Sequence, residues 1–156
     1  MLASCWRSSL SCVTELTLVR SPPAMADVTQ SSELLDLIDA QFTEVTSVRV
    51  AGSIAADERH HQPWGLVHGG LYTAAVETFA TIGAYEAVSD RGQQVVGVSN
   101  ATDFLRPHRS GRLGVLATPI QQGRSQQLWQ VEIRRPDDGK LVARGQVRLQ
   151  NIDAAP

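Results

Sequence analysis

One stretch of the 156-residue chain concentrates groups able to do chemistry: Gln62-Pro63-Trp64-Gly65-Leu66-Val67-His68-Gly69-Gly70, then Glu77 and Thr81. From Gly69 to Val88 the residues are mostly small and apolar, and the only charges are Glu77 and Glu86. Such a run reads as a helix apolar on all sides, which is either buried or spans a membrane. Glu77 near its middle, without a flanking Lys/Arg pattern, argues against the membrane. The expectation is a buried helix with a carboxylate near its centre. Burying an unpaired charge is costly, and perturbed carboxylates concentrate at active sites. Thr81 lies one turn beyond Glu77 on the same face, where its hydroxyl can orient the carboxylate or a water. At the helix start, unpaired N–H groups and the positive end of the dipole come together. Gly69 and Gly70 carry no side chain to block a ligand there. The pairing suits polarisation of a carbonyl beside activation of a nucleophile. His68 is equally placed to cap the helix.

Spacing limits how these groups act. Gly69 and Glu77 are eight residues apart, about 12 Å along a helix axis, so one chain cannot bring both to one carbonyl. Either only one of them is catalytic, or each works with its counterpart from a second subunit in a two-fold dimer.

The elements that position them follow from periodicity. Ser31 to Asp39 reads as a short amphipathic helix with a Ser cap and early acids. Val48, Val50 and Ile54 alternate with Arg49 and Ser53 as a strand, and residues 57–65 form a polar loop. After the helix the chain reads as strand: Gln94–Leu105, Arg112–Gln121, a segment alternating through Trp129, Val131 and Ile133, and another through Leu141, Ala143, Gly145, Val147 and Leu149. Asp138-Gly139 marks a hairpin turn between the last two. Strands with one apolar face are the antiparallel habit. The fold class expected is α+β: a curved antiparallel sheet wrapped around one long helix.

Composition agrees. Hydrophobic residues make up 42% of the chain and charged residues 19%, which excludes a disordered chain. The net charge of −2 gives no bulk attraction to nucleic acid or an anionic membrane. The charge is uneven: residues 25–90 hold ten acids and two bases, whereas 101–150 hold nine bases and four acids, so the C-terminal part suits an anionic ligand. Cys5 and Cys12 have neither metal-ligand spacing nor partners for a disulfide framework, so a reducing, cytoplasmic setting is expected and no metal site. Residues 1–24 read as a disordered or mis-assigned extension, and 25–156 as a single domain.

Together, Gln62…His68-Gly69-Gly70…Glu77-Thr78…Thr81, Val95-Val96-Gly97 and the run from Gly123 to Ile133 resemble the hotdog-fold acyl-CoA thioesterases. The similarity is to the phenylacetate-pathway and 4-hydroxybenzoyl-CoA type. The second segment is similar to the 1,4-dihydroxy-2-naphthoyl-CoA enzymes. The resemblance spans residues 45–151 and implies hydrolysis of an aromatic or medium-chain acyl-CoA by a homodimer or homotetramer. CoA enters as part of the substrate, so no separate cofactor is implied. It makes Glu77 the nucleophile or general base, and Gly69 the N–H that polarises the thioester carbonyl from the partner subunit. Gln62 and His68 become polar groups near that thioester, and Thr81 the hydroxyl one turn after the glutamate. Gly123, Arg124 and Ser125 fall near the CoA nucleotide, and Arg106 and Arg109 near its phosphates. Asp103-Phe104-Leu105 replaces a more polar run of the naphthoyl-CoA enzymes, so the acyl group is not specified.

Two other readings fit such a fold. A hydratase or dehydratase would rely on a helix His, which this helix lacks. A non-catalytic acyl-CoA binder would not need Gln62, His68, Gly69 and Glu77 together. His60, His61 and His108 read as solvated loop residues, and Arg134, Arg135, Arg144 and Arg148 as solubilising groups on wet strand faces. Trp64 reads as a packing residue or as a contact for the acyl chain.

Overall fold

The computed structural model describes residues 32–154. The elements are α1 (Glu33–Leu37), β1 (Gln41–Thr46), β2 (Arg49–Ala56), α2 (Gly69–Glu86), β3 (Gln93–Phe104), β4 (Gly111–Gln122), β5 (Gln126–Arg134) and β6 (Leu141–Asp153). Short 3-10 turns at Glu58–His60 and Ser89–Arg91 lie either side of α2. The six strands form one antiparallel sheet in the order β1-β2-β4-β5-β6-β3. The sheet curls around α2, as the periodicity predicts. The reading of residues 1–24 lies outside the described residues.

Alternation builds the core. Leu113, Val115 and Ala117 of β4, Trp129, Val131 and Ile133 of β5, and Ala143, Val147 and Leu149 of β6 all turn inward and are buried. They meet Leu71, Val76, Phe79 and Ala80 of α2. Two glycines let the layers approach. A methyl on Gly83 would stand 2.5 Å from the Trp129 ring, and one on Gly145 would stand 2.6 Å from Val76. Both are closer than packed carbons tolerate.

The structure corrects four expectations. β1 is a strand that the periodicity does not show: its partly buried Phe42 and Val45 are three residues apart, because a register shift between Phe42 and Glu44 breaks the alternation. Val48 belongs to the turn before β2 rather than to the strand, and is exposed. α2 is not buried all round. Gly70 and Glu77 are exposed, and Thr73, Ala74, Thr78 and Thr81 are half-buried, so this stripe of the helix lies outside the sheet's cover. Finally, His60 and His108 are buried rather than solvated. The His60 ring closes a capping box with Asp57 and also bonds the Leu37 carbonyl at 2.7 Å, tying the end of α1 to the loop.

Candidate active site

The start of α2 is built by its own loop. Gln62 to Leu66 forms a tight turn: the Gln62 N–H donates to the Leu66 carbonyl at 2.7 Å, and the Gly65 N–H to the Gln62 carbonyl at 2.9 Å. Gly65 has φ 72, a conformation that favours glycine. The turn is locked to the loop after β3. His61 Nε2 meets the Arg109 carbonyl at 2.6 Å, Arg109 Nη1 donates to the Gly65 carbonyl at 2.8 Å, and the Val67 N–H donates to the His108 carbonyl at 3.0 Å.

His68 is the N-cap of α2. Its Nδ1 accepts the Gly70 N–H at 2.8 Å, and its backbone carbonyl accepts from Leu71. Nδ1 is thus an acceptor, so the ring proton of neutral His68 sits on Nε2 as an outward donor. The His68 N–H donates to the His60 carbonyl at 2.7 Å. Gly69 is left as the first-turn donor with no acceptor among the described residues. A methyl on Gly69 would stand 2.6 Å from the Phe104 ring, so this position needs glycine if Phe104 is to keep its place.

Gly69, Gln62, Phe104, Arg106, Tyr72 and His108 share a cavity of about 260 Å³ with apolar neighbours from both loops. Sequence reasoning missed Phe104 as a wall of this cavity, and Tyr72 and His108 as buried polar residues lining it. The Tyr72 hydroxyl and His108 Nε2 are buried without a hydrogen-bond partner. Burial pushes the Tyr72 phenol up to about 12, so it stays a neutral donor near neutral pH. The small, apolar stretch around Tyr72 and the polar loop around His108 gave no sign that the fold would close them together.

Burial also holds the His108 imidazole below its ordinary value of 6.5, with the Arg135 charge acting in the same direction and the Gly111 carbonyl and Asp137 acting against it. The unfolded chain therefore binds this proton more readily than the folded one. The stability this confers is present above about pH 6.5 and is lost as pH falls through the lowered value. His108→Asn is expected to flatten the decline of urea-unfolding free energy between pH 7 and 5, and an unchanged slope would contradict the assignment.

The other expected site residues lie elsewhere. Glu77 is on the open stripe of α2, and a Cβ placed on Gly97 of β3 would stand 3.3 Å from its Oε1. Asn100 of β3 donates to the Thr73 carbonyl at 3.0 Å and fixes the strand beside this stripe. Thr81 Oγ1 is buried and unpartnered. Gly123, Arg124 and Ser125 are tied to the far end of α2 near Ala84, about 22 Å from Gly69 along the helix. Arg106 and Arg109 each spend one guanidinium N–H on a backbone carbonyl, of Leu141 and Gly65 respectively. The basic C-terminal half is largely paired internally: Arg112, Arg134, Arg135, Lys140 and Arg144 all contact acids. Trp64 is 77% exposed rather than packed among the described residues.

A long helix in the curl of a six-stranded antiparallel sheet is the hotdog fold. Residues 65–142 match the Thioesterase superfamily, and the chain belongs to that family of thioester hydrolases. A Mycobacterium tuberculosis protein named "Putative esterase" is 38% identical over 138 residues, covering 87% of this chain and 98% of its own. Its solved structure has a TM-score of 0.76, covering 80% and 100% of the two chains. A Haemophilus influenzae thioesterase structure is 29% identical with a TM-score of 0.74, covering 81% and 87%. The 1,4-dihydroxy-2-naphthoyl-CoA hydrolase of Escherichia coli is 28% identical over 100 residues, covering 64% and 73%. No described helix is long and apolar enough to cross a membrane.

Proposed function

We propose that the protein hydrolyses an aromatic or medium-chain acyl-CoA to the free acid and CoA in the cytoplasm, as a homodimer or a pair of homodimers. The observation that carries this is the Gly69 N–H, without an acceptor at the positive end of α2 and open to the same cavity as Gln62. A thioester carbonyl seated there gains negative charge as it is attacked, and a fixed donor stabilises that charge more than the ground state. Gln62 is a further donor in that cavity, whereas the His68 ring lines a separate cavity beside Leu37 and Ala74 and serves the site by capping Gly70.

The attacking half comes from a second copy. β3 is one of the two outer strands of the sheet and the longer, twelve residues against six in β1, with Val96, Val98 and Phe104 exposed. A long apolar edge invites pairing with another strand. Two copies paired antiparallel along β3 bring Glu77, beside Gly97, toward the helix start of the other chain. Glu77 then either attacks the carbonyl carbon, giving an acyl–glutamyl anhydride that a water hydrolyses to release the acid and restore the carboxylate, or takes a proton from a water that attacks the carbonyl directly and later returns that proton to solvent, with Thr81 orienting the water. The C–S bond breaks and the CoA thiolate leaves, to be protonated by solvent. Arg106 and Arg109 near one end, and the partner's 123–125 loop near the other, receive the anionic nucleotide.

The test is thiol release from a panel of benzoyl-, phenylacetyl- and octanoyl-CoA, with sedimentation run alongside. Turnover of at least one ester by a dimer or larger assembly is expected. A folded protein that releases thiol from none of them, or a fully active monomer, would overturn the proposal.

A further inference from the structure

A buried amide network lies at the C-terminal end of α2, away from the reacting groups. The Trp129 indole N–H, which can only donate, donates a hydrogen bond to Gln127 Oε1 at 3.0 Å. That fixes the Gln127 amide, whose Nε2 donates to the Ala84 carbonyl at 2.9 Å and to Asn151 Oδ1 at 3.0 Å. Asn151 is fixed in turn: its Nδ2 donates to the Gly123 carbonyl at 3.1 Å and the Arg124 carbonyl at 3.0 Å. Its backbone N–H takes the Ser125 carbonyl at 2.8 Å. Gln127 is 2% exposed and Asn151 6%.

One buried residue therefore holds all three carbonyls of the β4–β5 loop, and Gln127 covers a carbonyl at the negative end of α2. The Arg124 and Ser125 N–H groups make no hydrogen bond among the described residues, and both residues are exposed. Carbonyl oxygens repel an anion, whereas backbone N–H groups and a guanidinium attract one. The turn is also tight: the Gly123 N–H donates to the Gln126 carbonyl at 2.8 Å, and a Cβ on Gly123 would stand 2.9 Å from that oxygen.

We propose that Asn151, braced by Gln127, is a positioning residue that draws the loop carbonyls inward and so leaves the loop's N–H groups and Arg124 to face the nucleotide phosphates of CoA. This rests on the reading of residues 123–125 as the segment that meets that nucleotide. Asn151 acts only through the loop, so its effect is confined to substrates that carry the nucleotide.

The experiment compares an acyl-CoA with the same acyl group on N-acetylcysteamine, which lacks the nucleotide, and measures inhibition by 3′,5′-ADP. Asn151→Asp cannot donate to the two carbonyls. It is expected to raise KM for the CoA ester and the inhibition constant of 3′,5′-ADP by about tenfold, with kcat within about twofold. Kinetics on the truncated thioester should not change. Asn151→Ser, which is smaller and remains polar, gives the same readout if the Asp variant fails to fold. Arg124→Ala tests the underlying reading. If it raises the 3′,5′-ADP constant but neither folded Asn151 variant does, the positioning role is overturned and the loop's role stands. If Arg124→Ala and both Asn151 variants leave CoA-ester kinetics unchanged, the loop does not meet the nucleotide and both fall. An equal loss on the two thioesters would mean general damage and would also overturn the positioning role.

Discussion

Glu77→Gln is expected to abolish turnover, with kcat falling on the order of 10⁴-fold, the upper range for a positioned general base and the scale seen when a catalytic constellation loses its proton acceptor. Gln keeps the size and the hydrogen-bonding outline but can neither attack a carbonyl nor take a proton from water. Substrate affinity should survive, because the donors assigned to the thioester carbonyl are Gly69 and Gln62. Glu77 is exposed within its own chain, so the change should leave the fold of each subunit intact. Single-turnover kinetics with equilibrium binding separate the two effects. A Gln variant within tenfold of wild type would remove Glu77 from the chemistry.

The second large effect is at the other half of the site. Gly69→Val should cost about 10²–10³ in kcat, comparable to losing one oxyanion donor. The N–H is still present in this variant, but the new side chain occupies the approach to it and displaces the Phe104 ring, whose carbons stand 2.6 Å from where the Cβ would be. Phe104 is 57% exposed, so it can swing aside and the fold should hold. Far-ultraviolet circular dichroism and a thermal melt check this before kinetics are read. A folded Val variant with wild-type kcat would show that the carbonyl is polarised elsewhere.

How much of this could be read in advance depends on which physics dominates locally. Helix α2 and the long strands β3 to β6 are legible because their periods are strong and their bounds carry turn residues. Gly92 and Gly139, for instance, take positive φ at the breaks. β1 is hidden by its bulge, which destroys the period-2 signal that identifies a strand. The helix-start chemistry is visible because it is local: His68, Gly69 and Gly70 are adjacent, and the structure adds only which N–H lacks a partner. The burial of Glu77 is misread for a related reason. Small residues such as Ala74 and Thr78 look like core, whereas here they line an open stripe beside an unpaired strand edge. The relations of Tyr72 to His108 and of Gln127 to Asn151 join residues 36 and 24 positions apart, and no pattern in the chain announces them.

The central claim is that Gly69 of one chain and Glu77 of another make one site, and subunit mixing tests it directly. Glu77→Gln and Gly69→Val proteins, each inactive alone, are combined in equal amounts and allowed to exchange fully, with exchange confirmed by mass-tagged subunits. A mixed dimer carries one site with both lesions and one with neither. About half the dimers are mixed, so about a quarter of all sites are intact. Recovery to about a quarter of wild-type activity is the predicted result. No recovery, with mixed dimers present, would show that Gly69 and Glu77 do not meet across the interface.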